Sequence, residues 1–213
     1  PGSAQSLAGQ FALVIDGVLP TATITVADTA LSVGETTQVT ITFSEAVTGF
    51  TLDDLSAANG VLSNLASSDS GTTWTATLTP VADTKAAANS ITLDNTGITD
   101  LAGNAGAGTT ASGNYAINTV RPSASIVVSD TALAVDGTSL VTITFSEAVT
   151  GLDNADLTIA NATLSALTSS DGGITWTATL TANAGVTHPA SVITLDNTGV
   201  VNSAGNAGSG TTD

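Results

Sequence analysis

The stretch Thr40-Ile41-Thr42-Phe43-Ser44-Glu45-Ala46-Val47-Thr48-Gly49 decides the fold, because apolar and hydroxyl-bearing side chains alternate along its first half. A period of two residues is the pattern of a β-strand that buries one face and exposes the other. Threonine favours strands because its β-branched side chain is stiff, and its hydroxyl group suits the exposed face. With 39 threonines among 213 residues, the chain carries this pattern in many segments.

The chain is a tandem repeat. The opening stretch recurs unchanged 102 residues later, and residues 20–111 are identical to their counterparts at 56 of 92 positions, with no insertion or deletion. A period of about 100 residues is too long for a solenoid and suits independent domains. We therefore predict three parts: an N-terminal segment at 1–19 (with residues 1–3 resembling a cloning remnant), repeat 1 at 20–119 and repeat 2 at 120–213.

Each repeat reads as a set of seven short strands with turns rich in Gly, Asn and Asp. Trp74 lies on the apolar side of one of them, which predicts a core position, and the alanines at 86–88 predict no more than a short turn. These features predict an all-β chain of two tandem immunoglobulin-like β-sandwich domains. In repeat 1 the strands are expected at about 21–27, 36–44, 51–57, 61–67, 73–79, 90–94 and 113–118.

Composition excludes several classes of function. A formal charge of −16, with Lys and Arg together only 2, leaves no basic patch for nucleic acid. The absence of cysteine excludes disulfides, thiol catalysis and cysteine-bound zinc. No apolar run approaches the roughly 20 residues that a membrane span needs, so we expect no membrane insertion. We predict no enzyme, since adjacent Asp53 and Asp54 on a strand would point to opposite faces.

Five segments of repeat 1 are distinctive: Thr42 to Gly49, Thr73 to Thr79, Leu93 to Gly97, Ala102 to Gly106 and Gly113 to Asn118. They resemble bacterial Ig-like repeats of large secreted surface proteins, including RTX-type biofilm adhesins. The resemblance implies a secreted spacer at the bacterial cell surface, stiffened by calcium, that holds an adhesive tip away from the cell. Its partners would be neighbouring repeats or other copies of itself, with a host or matrix ligand elsewhere in the full protein.

Acidic residues concentrate in loops that the strand order places at one pole of each repeat. Calcium takes six to eight oxygen ligands, several of them anionic, so we expect a calcium site at this pole. Turn capping competes with this interpretation, since Asp-Asn-Thr-Gly and Asp-Ser-Gly are ordinary turn sequences. The candidate ligands are Glu45 with Asp16, Asp94 and Asp100 in repeat 1, and Glu147 with Asn118 and Asp196 in repeat 2.

The two ends of the chain are out of phase. Residues 9–16 align with 111–118, the last strand of repeat 1, whereas the sequence stops before repeat 2 reaches that strand. Three explanations stay open: the chain is a piece of a longer one, residues 9–16 pack on repeat 1, or they complete repeat 2 of another copy by donor-strand addition. Phe11, Leu13 and Ile15 are the expected donor-strand residues.

A glycan- or protein-binding adhesin module is the alternative function. It requires aromatic side chains exposed at a loop pole, and Phe50 is the main candidate, with Leu152 in its place in repeat 2.

Overall fold

The computed structural model describes residues 15–187 and 190–213 as two units of the same β architecture. Repeat 1 contains twelve strands and one short 3-10 helix, Leu52–Asp54. The strands are β1 (Ala22–Val26), β2 (Ala30–Leu31), β3 (Thr37–Phe43), β4 (Val47–Thr48), β5 (Leu55–Ala57), β6 (Gly60–Ser67), β7 (Thr73–Pro80), β8 (Lys85–Asn89), β9 (Ile91–Asp94), β10 (Thr99–Asp100), β11 (Thr109–Ala111) and β12 (Tyr115–Asn118).

The described residues of repeat 2 follow the same order with ten strands instead of twelve. Two 3-10 helices, Asn154–Asp156 and Asn197–Gly199, accompany them. The strands are β13 (Ala124–Val128), β14 (Thr138–Phe145), β15 (Val149–Thr150), β16 (Leu157–Ile159), β17 (Ala162–Leu164), β18 (Thr168–Ser169), β19 (Thr175–Ala182), β20 (Ile193–Asp196), β21 (Val201–Asn202) and β22 (Thr211–Thr212).

One layer of repeat 1 is the antiparallel sheet β1-β3-β7-β6, and the other combines β11-β9-β5 with β2-β12-β8. Strand β12 pairs in parallel with β2 and antiparallel with β8, so it closes the second layer. Alternation sends Val39, Ile41 and Phe43 into the core, where each is at most 3% exposed. In repeat 2, sheet β13-β14-β19-β17 and sheet β16-β20-β22 form the corresponding layers.

Aromatic side chains lie in the core between the layers. Phe50 is only 5% exposed and stacks edge-on against Phe43 and Trp74, with ring centroids 5.3 and 5.2 Å apart. Trp74 also donates its indole N–H to the carbonyl of Gly71. The core position predicted for Trp74 is therefore confirmed. The expectation that Phe50 stands exposed at a loop pole was wrong, because two neighbouring rings cover it.

Two of the expected elements differ from the structure. The alanines at 86–88 lie within strand β8 and not in a turn. Alanine has only a weak preference for strands, but pairing with β12 holds this segment extended. The strand expected over 51–57 begins with the 3-10 helix, where Thr51 and Asp54 form a reciprocal capping box before β5 starts.

Candidate cation site and repeat junction

A loop at one pole of repeat 1, residues 100–106, holds the segment that precedes the repeat; we call it clasp loop 1. Asp100 is 3% exposed and accepts two hydrogen bonds from Asn104, at 2.8 Å from its backbone N–H and 2.7 Å from its side chain. Asn104 Nδ2 also donates to the carbonyl of Asp16 at 3.2 Å. Clasp loop 1 thereby ties residue 16, which lies outside the strands, to the end of β10.

Three carboxylates meet at this pole. One oxygen each from Asp16, Glu45 and Asp100 lies within 4.8 Å of the other two. Asp16 comes from the segment before repeat 1, Glu45 follows β3, and Asp100 ends β10. Sequence reasoning named all three residues, and the structure brings them together.

Electrostatics at the cluster are unfavourable for bare carboxylates. Partial burial raises the pKa of Glu45, and the negative charges of Asp16 and Asp100 raise this pKa further. Burial alone would also raise the pKa of Asp100, but hydrogen bonds from Asn104 and neighbouring backbone N–H groups outweigh it, so this pKa is lowered. Among the described residues, none donates a hydrogen bond to the Glu45 carboxylate. The cluster presents oxygen atoms only, which is the donor set that calcium prefers.

Two other candidate ligands, Asp94 and Asp196, bond to their own turns instead. Asp94 Oδ1 accepts from the backbone N–H and hydroxyl of Thr96 at 2.9 and 2.8 Å, and Asp196 Oδ1 does the same with Thr198. These bonds lower the pKa of both aspartates. Both aspartates therefore cap their own turns, as the competing interpretation of this sequence motif predicts.

In repeat 2 the matching loop, residues 202–208 or clasp loop 2, uses amides instead of a carboxylate. Asn202 stands where repeat 1 has Asp100, and its Nδ2 donates to Glu147 Oε1 at 2.9 Å and to the carbonyl of Val120 at 3.1 Å. Asn206 Nδ2 donates to the carbonyls of Asn118 and Val120 at 2.7 and 3.0 Å. Both asparagines are buried, with exposures of 4% and 2%.

Clasp loop 2 also reaches repeat 1 directly. Asn206 Oδ1 accepts from the backbone N–H of Val33 at 2.8 Å, across 173 residues of sequence. Lys85 Nζ lies 3.5 Å from Glu147 Oε2, and Arg121 Nη1 donates to the carbonyl of Ala207 at 2.7 Å. Both basic residues of the chain therefore lie at the junction.

Repeat 2 has a groove where repeat 1 has strand β12. In repeat 1, β12 lies between β2 and β8 and buries Tyr115 and Ile117 to 1% exposure. The matching space in repeat 2 is a groove of about 750 Å³, which we call the strand groove. The large aliphatic residues that line it are Val128, Leu133, Val135, Ile159, Leu180, Val186, Val192 and Ile193.

The expected donor segment lies largely outside the described residues. Phe11 and Leu13 fall there, so only Ile15 is placed, and it belongs to no strand and is 84% exposed. Ile117, its counterpart after the 102-residue offset, is 1% exposed in β12. Ile15 therefore presents to solvent a side chain that repeat 1 buries at the equivalent position.

Sequence reasoning gave Asn104 and Asn206 no role. The sequence does carry a signal for these asparagines, because the segment Ala-Gly-Asn-Ala-Gly is identical in both repeats. The residue two positions before this segment is Asp100 in repeat 1 and Asn202 in repeat 2. The glycine in front of this asparagine is required by the turn, since Gly103 and Gly205 have φ angles of 91° and 81°.

Comparison with known proteins identifies the repeated unit. No helix among the described residues is long and apolar enough to cross a membrane. A search of curated proteins found no match. A family model described as a bacterial Ig-like domain matches twice, over residues 16–117 and 118–213. Its two matches begin at Asp16 and Asn118, the equivalent residues that the two clasp loops hold. The chain belongs to the bacterial Ig-like domain family, of which it carries two consecutive copies.

Proposed function

We propose that the chain is a spacer module of a bacterial surface protein, in which consecutive Ig-like domains are held in a fixed arrangement. The direct contact between clasp loop 2 and repeat 1 carries this proposal. A flexible linker would leave the two domains free, whereas here Asn206 is hydrogen-bonded on one side to Val33 and on the other to residues 118 and 120. A protein that sets a distance needs such a joint at each domain boundary.

The burial of the aromatic side chains argues against the binding-module alternative. Aromatic side chains recognise sugars and proteins when they stand at the surface. Among the described residues, every aromatic side chain is buried or partly buried.

Small-angle X-ray scattering of Asn206→Ala tests the joint. The substitution removes the bonds to Val33, Asn118 and Val120, so we expect a larger and more broadly distributed maximum dimension than in the unmodified chain. Asn104→Ala is the matched control, because its clasp holds Asp16 and touches no second domain. Identical scattering from both variants and the unmodified chain would contradict the spacer proposal.

We further propose that calcium binds Asp16, Glu45 and Asp100 and stiffens the segment before repeat 1. Three carboxylates within 4.8 Å repel one another, and a divalent cation would remove that repulsion while joining three elements that are distant in sequence. The lowered pKa of Asp100 keeps it ionised at neutral pH and therefore able to bind a cation.

Isothermal titration of calcium into chelator-treated protein measures this site. We expect binding in the unmodified chain and its loss in Asp100→Asn. Asp94→Asn serves as control, since Asp94 has the same charge but caps its own turn, and it should bind as the unmodified chain does. Equal binding by Asp100→Asn would rule out this cluster.

The strand groove supports a proposal on assembly. Residues 9–15 of a second copy would occupy it as an added strand, in the place that β12 takes in repeat 1, and the two copies would join head to tail. Two features support this arrangement: a groove of about 750 Å³ in repeat 2 that large aliphatic side chains help to line, and an exposed Ile15 before repeat 1. The junction between two copies would then reproduce the junction between repeat 1 and repeat 2.

Light scattering during size-exclusion chromatography tests the assembly. We expect concentration-dependent oligomers that are lost when residues 1–15 are deleted, which leaves Asp16 in place. They should also be lost when a copy of residues 112–120 is appended after Asp213, because that peptide would fill the groove within its own chain and raise its Tm. Oligomers that survive both changes would exclude donor-strand addition.

A further inference from the structure

The two clasp loops differ at the residue that faces the glutamate. Repeat 1 has Asp100 beside Glu45, and repeat 2 has Asn202 beside Glu147. The rest of each clasp is the same: Asn104 and Asn206 donate to the carbonyls of residues 16 and 118, and Val18 and Val120 donate their N–H groups to the side chains of those same residues. The two sites therefore share these bonds but differ at two acidic positions, since Asp16 and Asp100 of repeat 1 are replaced by Asn118 and Asn202 in repeat 2.

The Asn202 carboxamide performs in repeat 2 what a cation would perform in repeat 1. Its Nδ2 supplies positive partial charge to Glu147 Oε1 and at the same time binds the Val120 carbonyl of the linker. Lys85, from repeat 1, adds a full positive charge 3.5 Å from the other oxygen of Glu147. Glu147 thus has a donor on each oxygen, whereas Glu45 accepts no hydrogen bond from the described residues and faces two further carboxylates.

We propose that Asn202 makes the junction between the two repeats independent of calcium, so that the residue at position 100 or 202 determines which clasp requires the cation. An amide at this position donates a hydrogen bond to the facing glutamate, whereas an aspartate leaves two carboxylates facing each other unless a cation binds between them. This inference rests on the calcium site proposed for repeat 1. It gives one cation per chain instead of one per domain.

Calcium stoichiometry separates this inference from the proposal on which it rests. Titration should give one site in the unmodified chain and none in Asp100→Asn. The double variant Asn118→Asp/Asn202→Asp reproduces the residues of repeat 1 and should give a second site, weaker than the first because Lys85 remains. Two sites in the unmodified chain, or one in the double variant, would overturn the role of Asn202, whereas no site in the unmodified chain would instead overturn the calcium proposal.

Scattering in chelator decides the question without reference to repeat 1. The unmodified chain should keep the same separation between its two domains in chelator and in calcium. Asn202→Asp should become longer and more variable in chelator and recover in calcium, since its clasp then carries two facing carboxylates and lacks the amide that donates to Glu147 and Val120. A chelator-sensitive junction in the unmodified chain, or an Asn202→Asp junction that stays compact in chelator, would contradict the inference.

Discussion

At the scale of single residues, most aspartates of this chain serve local turns. Asp69 and Asp171 occupy equivalent turns before β7 and β19, and each accepts hydrogen bonds from backbone N–H groups three and four residues later. What distinguishes a ligand from such a cap is where its oxygens point, which sequence does not encode. Asp94 and Asp100 look alike in the sequence and both accept hydrogen bonds from their own loops, yet only Asp100 also faces Glu45.

The turn aspartates predict a defined acid sensitivity. Hydrogen bonds from the backbone and side chain of Thr175, with smaller contributions from Ser169 and Ile174, lower the pKa of Asp171 from 3.8 to about 2. A lowered folded-state pKa contributes stability that is present above pH 3.8 and is lost as the pH falls through about 2. In thermal melts, Asp171→Asn should lower the Tm at pH 7 and reduce its fall below pH 4.

Asp53→Asn is the control for this experiment, because Asp53 is exposed and accepts no hydrogen bond from the described residues. It should follow the pH profile of the unmodified chain. A profile for Asp171→Asn that also matches the unmodified chain would mean that the turn bonds contribute nothing to stability.

At the scale of elements, alternation of apolar and hydroxyl residues was sufficient to predict the long strands. The expected strands over 36–44, 73–79 and 90–94 correspond to β3, β7 and β9 within one or two residues. The two-residue strands β2, β4 and β10 were not foreseen, because two residues carry no period and owe their pairing to the rest of the sandwich. Strand β8 was missed for a different reason: it has five residues, but three of them are alanines, which have no strand preference of their own.

Because strand β12 covers it, the core of repeat 1 should be less tolerant of large-to-small substitutions than the core of repeat 2. Leu78 and Leu180 are equivalent, but Leu78 is fully buried whereas Leu180 lines the strand groove and is 8% exposed. Leu78→Ala would leave a closed cavity and should cost about 4 kcal/mol, whereas Leu180→Ala should cost about 2 kcal/mol. Denaturant titrations of the two variants measure the difference, and equal costs would show that the groove is closed in solution.

A tight turn offers a second prediction at this scale. Gly71 has a φ of 107°, and a Cβ there would lie 2.6 Å from the carbonyl oxygen of Val47. Gly103 also has a positive φ, 91°, but no atom within 4 Å of its Cβ position. Gly71→Ala should therefore lose about 3 kcal/mol of stability and Gly103→Ala about 1 kcal/mol. A similar loss in both would mean that the contact with Val47 relaxes freely.

At the scale of the whole molecule, an offset of 102 residues makes two similar domains, and a few substitutions make their poles different. The repeat and its fold could be predicted from the sequence, because they rest on long patterns that recur. The junction could not, because it depends on where Asn206 and Lys85 meet residues of the other domain. Among 18 acidic residues, only Asp16, Glu45 and Asp100 come close enough together to form a candidate cation site within the described residues.

The most direct test of the spacer account is the distance distribution between the two domains, measured by pulsed electron paramagnetic resonance. The chain has no cysteine, so spin labels can be placed through Thr25→Cys and Val127→Cys, two equivalent and exposed positions of β1 and β13. For two domains held by a fixed joint, we expect one narrow distribution that is the same in calcium and in chelator and that broadens in Asn206→Ala. A broad distribution in the unmodified chain under both conditions would contradict the spacer account.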